Sequence, residues 1–312
     1  MNILEINDLT KKFGDFIAVD NMSLSIAEGE IFGFLGSNGA GKSTTIHMIT
    51  GLLRKNTGSI MMLGKETSKH SEFIKKHIGL VPQELAIYED LTAYENVNFF
   101  AGLYGLRGQE LHDRTVEALE FVGLAEKQKN YPKTFSGGMK RRLNIACAIA
   151  HQPKLIIMDE PTVGIDPQSR NYILTSVRKL NDMGCTIIYT SHYMEEVEEI
   201  CSRIAIVDHG KIIAEGTKEQ LKSLITDSKL IVIEVQSADG IDVDSIHRIQ
   251  GVTTVNVDEN TVQITSELGV NNLNKIIAYF INHKLEIRSL DEKEPNLETV
   301  FLTLTGRNLR DS

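Results

Sequence analysis

Glu30 to Thr50 read EIFGFLGSNGAGKSTTIHMIT. The first six residues form an apolar run suited to a buried strand, and Thr44 to Thr50 continue at helical spacing. Between them lie Gly36, Ser37, Asn38, Gly39, Ala40, Gly41, Lys42 and Ser43, two glycines five apart followed by Lys and Ser. A strand, a glycine-rich loop and a helix in this order make a phosphate-binding loop. Gly36, Gly39 and Gly41 lack side chains, so the backbone can curl and aim N–H groups from Asn38 to Ser43 at phosphate oxygens. Thr44 then opens the helix whose dipole favours the anion. Lys42 is placed to bridge the β- and γ-phosphates of ATP, and the Ser43 hydroxyl to hold Mg²⁺.

A second decisive stretch is LIIMDE, Leu155 to Glu160. Its apolar run reads as a strand buried on both faces. Ligands of doubly wound sheets sit at the carboxyl ends of strands. Asp159 is therefore the expected Mg²⁺ partner and Glu160 the base for an attacking water; a helix cap or solvated corner is the plainer alternative for such a pair. Three further pieces stand in order along the chain: Gln83 after the strand Ile78 to Val81, FSGGM at Phe135 to Met139, and His192 after the strand Thr186 to Thr190. Ser136, Gly137 and Gly138 sit where a helix should start, so a hydroxyl and backbone amides can meet a phosphate.

This set resembles the nucleotide-binding subunit of an ATP-binding cassette (ABC) transporter over residues 1–224. Ser136-Gly137-Gly138 is similar to the family signature, usually Leu-Ser-Gly-Gly-Gln, with Phe135 and Met139 departing at its ends. The resemblance implies that Gln83 contacts Mg²⁺ and water and relays to a membrane subunit. It implies further that Gly164 to Pro167 is the D-loop and His192 the switch histidine at the γ-phosphate. Phe13, in Lys-Lys-Phe-Gly, matches an aromatic that stacks on adenine, for which a ring face suffices; the alternative is packing within the small N-terminal sheet. Ser37 stands where many relatives carry proline. A signature remote from its own phosphate loop implies a head-to-tail dimer, a homodimer or a pair with a second ABC subunit. Two ATP molecules would then be held by Lys42 and His192 of one chain and Ser136 and Gly138 of the other.

The composition agrees. The 312 residues are 41% apolar and 24% charged, ordinary for a globular chain long enough for two domains. A net charge of −9 argues against a nucleic-acid partner, which calls for a basic stripe. The run Lys140-Arg141-Arg142 reads as a solvated helix face. Cys147, Cys185 and Cys201 fall in apolar contexts and read as reduced core residues. The N-terminus lacks a basic leader, and no apolar run approaches the roughly 20 residues that span a bilayer. An integral-membrane permease subunit is thus the implied partner, with this chain peripheral at the cytoplasmic face of the membrane.

The expected architecture is α/β: a P-loop ABC ATPase core with an antiparallel N-terminal sheet and a helical subdomain at about 84–152, followed by a small α+β, ferredoxin-like domain at 229–306. The tail is predicted from Lys229 to Val235 (strand), Asp244 to Ile249 (helix), a hairpin across Asp258 to Asn260, a helix carrying Val270 to Ile281, a strand at Leu285 to Arg288, and a last helix, Asn296 to Leu304, stopped by Gly306. Leu297 to Gly306 resembles the tail of drug-resistance and sodium-efflux ATPases of the ABC-2 exporter type. The leading expectation is the energy-coupling ATPase of an exporter, its tail a structural or pairing appendage or a small-ligand sensor. The alternative is a soluble ABC ATPase acting on ribosomes or DNA, though the chain has neither a coiled-coil insertion nor a second cassette. A catalytically weak regulator is disfavoured by Glu160 and His192.

Overall fold

The computed structural model describes residues 1–224, 228–267, 269–293 and 296–306. Two compact units divide at Thr217 and Lys218. The polar boundary expected across Ser223 to Ser228 falls in part on residues 225–227, outside the described residues.

The first unit runs β1 (Asn2–Phe13), β2 (Phe16–Ala27), β3 (Ile31–Gly36), α1 (Lys42–Ile49), β4 (Thr57–Met62), β5 (Lys65–Glu66), α2 (Ser71–His77), β6 (Ile78–Val81), α3 (Ala93–Leu103), α4 (Gly108–Phe121), α5 (Gly137–Ile149), β7 (Leu155–Asp159), α6 (Pro167–Asp182), β8 (Thr186–Thr190), α7 (Met194–Ile200), β9 (Arg203–Asp208) and β10 (Lys211–Gly216). An antiparallel sheet of order β2-β1-β4-β5 carries the N-terminus. The central sheet has the order β10-β9-β3-β8-β7-β6, parallel except for its edge strand β10. Every residue of β3, β7 and β8 is buried, as parallel strands covered on both faces require. The order β3-β8-β7 brings the carboxyl ends of these strands side by side, and the candidate site lies there.

Between β6 and β7 the chain is helical in pieces. Thr92 and Glu95 form a reciprocal capping box at the start of α3, and Gly123, at φ +66°, follows the end of α4. Asp166 caps α6 by accepting from Ser169 N at 2.9 Å, with Pro167 in the first turn.

The second unit begins with α8 (Lys218–Ser223) and continues β11 (Ser228–Val235), α9 (Val243–His247), β12 (Val252–Asp258), β13 (Thr261–Glu267), α10 (Leu273–Asn282), β14 (Ile287–Lys293) and α11 (Leu297–Thr305). From β11 to β14 the order is β-α-β-β-α-β, with an antiparallel sheet β12-β13-β11-β14, the ferredoxin-like arrangement. Ile231, Ile233, Val262, Ile264, Ile276 and Phe280 form its core. The last strand differs from expectation: it begins at Ile287, leaving Leu285 outside, and runs on through Asp291 and Glu292. An edge strand is paired on one side only, so acidic residues can face solvent there, and Lys229 Nζ lies 2.8 Å from Glu292 Oε1. The helix expected from Val270 begins at Leu273, and Ile281 is exposed rather than packed.

Candidate nucleotide-binding site

Tight packing fixes the loop between β3 and α1. Gly41 has φ +103°, and a Cβ there would lie 2.4 Å from the Ala18 carbonyl; at Gly36 it would lie 2.6 Å from the Val207 carbonyl. Only glycine suits these two positions. Within the loop Ala40 N donates to Ser37 O at 3.1 Å, and the first N–H drawn into the helix ladder is that of Thr45, bonded to Gly41 O at 2.9 Å. No side chain caps α1 and no acid stands in its first turn. Its leading N–H groups remain available to an anion. Asn38, Gly39 and Ser43 are exposed and Thr44 is half-buried.

Lys42 is buried and folds back on the loop, donating to Gly36 O at 2.6 Å and Ser37 O at 3.2 Å. Burial lowers its pKa, and the carboxylates of Glu160 and Asp159 oppose that shift. Asp159 ends β7, where one carboxylate oxygen accepts from Thr190 Oγ1 at 2.7 Å. Glu160 follows in a left-handed conformation, φ +47°, a strained backbone for a residue with a side chain. Its N–H donates to Thr190 Oγ1 at 2.9 Å. Its carboxylate reaches in two directions: Oε2 is 3.1 Å from His192 Nδ1, and Oε1 is 4.0 Å from Lys42 Nζ. Lys42, Asp159, Glu160 and His192 thus converge, with Thr190 tying both acids to β8. Sequence reading missed Thr190; the available signal was a hydroxyl at the last position of a buried strand, in register with Asp159.

The remaining candidates stand outside this cluster. Phe13 ends β1 with its ring half-exposed at 49%, and Lys11 Nζ stands 4.9 Å over it. Ser136 is the N-cap of α5, its Oγ accepting from Met139 N at 3.3 Å. Ser136 and Gly137 are exposed, whereas Phe135 is buried. Gly138 allows α5 to pack on α6, since a Cβ there would lie 2.0 Å from Ser169 Oγ. Gln83 is exposed after β6, and its carbonyl accepts from Arg141 at 2.6 Å while that of Pro82 accepts from the same guanidinium at 2.7 Å.

Arg141 corrects the reading of Lys140 to Arg142 as a solvated face. It is 4% exposed, and Arg142 donates to Val122 O at 3.1 Å with its guanidinium 4.7 Å over the Tyr172 ring. Helix α5 packs against β6, α3, α4 and α6, so little of its circumference is left to water. The cation therefore finds carbonyls at the end of β6 and links the Gln83 loop to the helix that Ser136 opens. The three cysteines are buried and none is in a disulfide, and burial pushes the Cys185 thiol up to about 12. Among the described residues no helix is long and apolar enough to cross a membrane, and no group of three or more His, Cys, Asp or Glu could cage a metal.

A phosphate loop, paired acids at a strand end, a histidine after the neighbouring strand and a Ser-Gly-Gly helix start define a P-loop ATPase of the ATP-binding-cassette class. Residues 19–163 match the family described as ABC transporter, and residues 216–305 match the ATP-binding protein DrrA1-3-like C-terminal domain. The linearmycin resistance ATP-binding protein LnrL of Bacillus subtilis (strain 168) is 47% identical over 315 residues, covering 99% of this chain and 100% of the relative. The daunorubicin/doxorubicin resistance ATP-binding protein DrrA of Streptomyces peucetius is 33% identical, covering 99% and 94%. A solved dimeric ATP-binding cassette in a post-hydrolysis state with ADP and Pi is 28% identical with a TM-score of 0.63, covering 69% of this chain and 98% of that one. The chain belongs to the ABC transporter ATP-binding proteins, as an energy-coupling ATPase of the ABC-2 exporter type. These relatives give no support to the alternative of a ribosome- or DNA-directed ATPase.

Proposed function

We propose that this chain binds Mg-ATP through the loop residues 36–44, hydrolyses it with Glu160 and His192, and does so as half of a head-to-tail dimer that drives a separate permease. The observation that carries the catalytic part is the Glu160 carboxylate, set between Lys42 Nζ and His192 Nδ1 at the carboxyl ends of adjoining strands. The loop amides and Lys42 hold the phosphates, and Phe13 offers an exposed ring face to the adenine. Glu160 accepts the proton of the attacking water. His192, hydrogen-bonded to that carboxylate through Nδ1, keeps it aimed beside the γ-phosphate. Ser43, Asp159 and Gln83 would supply hard oxygen donors of the kind Mg²⁺ takes. An Mg²⁺ ion held by these residues would neutralise charge on the β- and γ-phosphates.

Ser136 and Gly137 are exposed where a 13-residue helix starts, and the Ser136 hydroxyl bonds to Met139 N of that helix rather than to the Lys42 cluster. This supports their acting on the nucleotide of a second copy or of a paired ABC subunit. A cavity of about 550 Å³ between the sheet and the helical stretch supports permease docking. Leu52, Leu80, Phe100, Leu103 and Tyr104 line it, and Leu52 and Leu103 are each 67% exposed, an apolar groove beside the strand that leads to Gln83. The chain then works as a peripheral subunit at the cytoplasmic face of the membrane. Full-length likeness to the linearmycin and daunorubicin/doxorubicin resistance ATP-binding proteins supports a resistance-linked compound as cargo.

Light scattering of the purified Glu160→Gln chain tests the sandwich: Mg-ATP should double the mass, and a monomer at saturating nucleotide would rule it out. Recovery of the same variant from native membranes in Mg-ATP should bring a polytopic protein of several spans of about 20 residues. Ribosomal or DNA-bound factors in its place would remove the exporter reading.

A further inference from the structure

Glu196, in the first turn of α7, is 2% exposed, yet its carboxylate gathers donors from several segments. Oε2 accepts from Thr162 Oγ1 at 2.8 Å, Tyr189 OH at 2.8 Å and Ser191 Oγ at 3.0 Å. Oε1 lies 3.1 Å from Arg170 Nε, an ion pair without hydrogen-bond alignment. These partners flank the hydrolytic pair. Thr162 is two residues beyond Glu160, Ser191 immediately precedes His192, and Arg170 lies in the first turn of α6, beyond Gly164 to Pro167. A second layer joins the same segments: the Arg170 guanidinium stands 4.5 Å over the Tyr193 ring, and that ring is 4.2 Å from the imidazole of His192. Ser191 Oγ also accepts from Tyr193 N at 2.9 Å.

Stability alone gives little reason for this arrangement. Burying a carboxylate carries a large desolvation penalty, and apolar replacement of buried ionic groups is often neutral or stabilising. A carboxylate does what an apolar side chain cannot: it fixes several hydroxyls from separate segments to one point. Burial, and next the charge of Glu196, holds the Tyr189 phenol far above its ordinary pKa, so it stays a donor.

We infer that Glu196 is a positioning residue for ATP hydrolysis, locking the segment that bears His192 to those of Thr162 and Arg170 so that the imidazole stays within hydrogen-bond distance of Glu160. Glu196 touches neither Glu160 nor His192 among the contacts above; it acts through the backbone between Ser191 and Tyr193. The inference rests on the hydrolytic roles proposed for Glu160 and His192.

The test is steady-state hydrolysis and equilibrium ATP binding by the purified full chain carrying Glu196→Gln, alone and combined with His192→Ala. The single variant should lose about ten-fold in kcat with KM and ATP affinity held within about two-fold, the pattern of an interaction used in the transition state. The double variant should be no slower than His192→Ala, because partners acting through one group are not additive. A wild-type kcat, or an equal proportional loss in both backgrounds, overturns the inference. If Glu196→Gln does not fold, Arg170→Met removes the ion partner of Oε1, and about a three-fold kcat loss with the same non-additivity is expected; a wild-type rate or an additive loss counts against it. Glu160→Gln in the same assay separates the two readings. If it hydrolyses ATP at the wild-type rate, the catalytic assignment fails and the role of Glu196 with it. If it is inactive while the Glu196 result is adverse, only the positioning role falls.

Discussion

Among the described residues of the unit that begins at Met1, five charged side chains are buried: Lys42, Arg141, Asp159, Glu160 and Glu196. In the unit that begins at Lys218 none is, among the described residues; its buried polar side chains are Ser266, Asn272 and Thr299. The difference follows from what each sheet does. A parallel sheet covered on both faces ends in a crevice that can hold charge only by partnering it, and each of the five has found hydroxyls, carbonyls or an opposite charge. The antiparallel sheet has one apolar face to cover, and its polar groups serve the backbone: Asn272 donates to Ser266 Oγ at 2.6 Å and Gln250 O at 2.9 Å, which seats the start of α10. Chemistry is concentrated in the first unit, and the second is held by packing.

Two substitutions press hardest on this contrast. Glu160→Gln should lower kcat by at least about 100-fold, the scale of a lost general base, while ATP affinity is retained. Single-turnover hydrolysis beside equilibrium binding reads both, and a rate within a few-fold of wild type would move the base elsewhere. Phe280→Ala empties a side chain that is 0% exposed in the second core and should cost about 3–5 kcal/mol there. Calorimetry should show the second unit's transition falling while nucleotide affinity is unchanged. A loss of ATP binding would mean that the two units are not separable in function.

The same contrast explains what the sequence could and could not disclose. Glycine spacing, the acids after a buried run and the Ser-Gly-Gly helix start are local patterns, so Gly36 to Ser43, Asp159, Glu160 and Ser136 stand out as candidates in the sequence. The roles of Arg141, Thr190 and Glu196 depend on partners far along the chain: Arg141 meets carbonyls 58 and 59 residues away, and Thr190 meets Asp159 across 31. Periodicity records which face is apolar, not which carbonyl waits on the other side, so a basic triplet read as solvated has its middle member, Arg141, buried and the other two half-buried. In the second unit alternation placed the central strands well but misplaced β14, because an edge strand tolerates the acidic residues that pattern reading takes for a loop.

Acid should act on the first unit through His151, whose ring stacks on Tyr104 at 3.5 Å and bonds Ile78 O at 3.0 Å. Burial lowers its pKa from 6.5 to about 4. In the unfolded chain it takes up a proton near pH 6.5, whereas the folded chain holds out to about pH 4, so between these values the unfolded state binds more protons. Stability is therefore level above about pH 6.5 and falls as pH drops towards 4, by up to about 3 kcal/mol. Urea titrations across this window should show the first unit's midpoint falling, and His151→Gln should flatten that slope.

The smallest expected effect compares two glycines with positive φ. Gly41→Ala drives a Cβ to 2.4 Å from a backbone carbonyl at φ +103°, which should cost about 2 to 3 kcal/mol and weaken ATP binding, since loop and strand must shift together. Gly306, the C-cap of α11, also lies in the left-handed region, φ +67°, but a Cβ there meets nothing within 4 Å. Gly306→Ala should therefore cost only the backbone preference, about 1 kcal/mol, read as a small shift of the second unit's urea midpoint with ATP affinity unchanged. Gly306→Asn should recover part of that loss, because asparagine enters this conformation more readily than alanine. Equal losses at Gly41 and Gly306 would show that conformation alone, and not the close approach of Ala18, keeps the phosphate loop glycine.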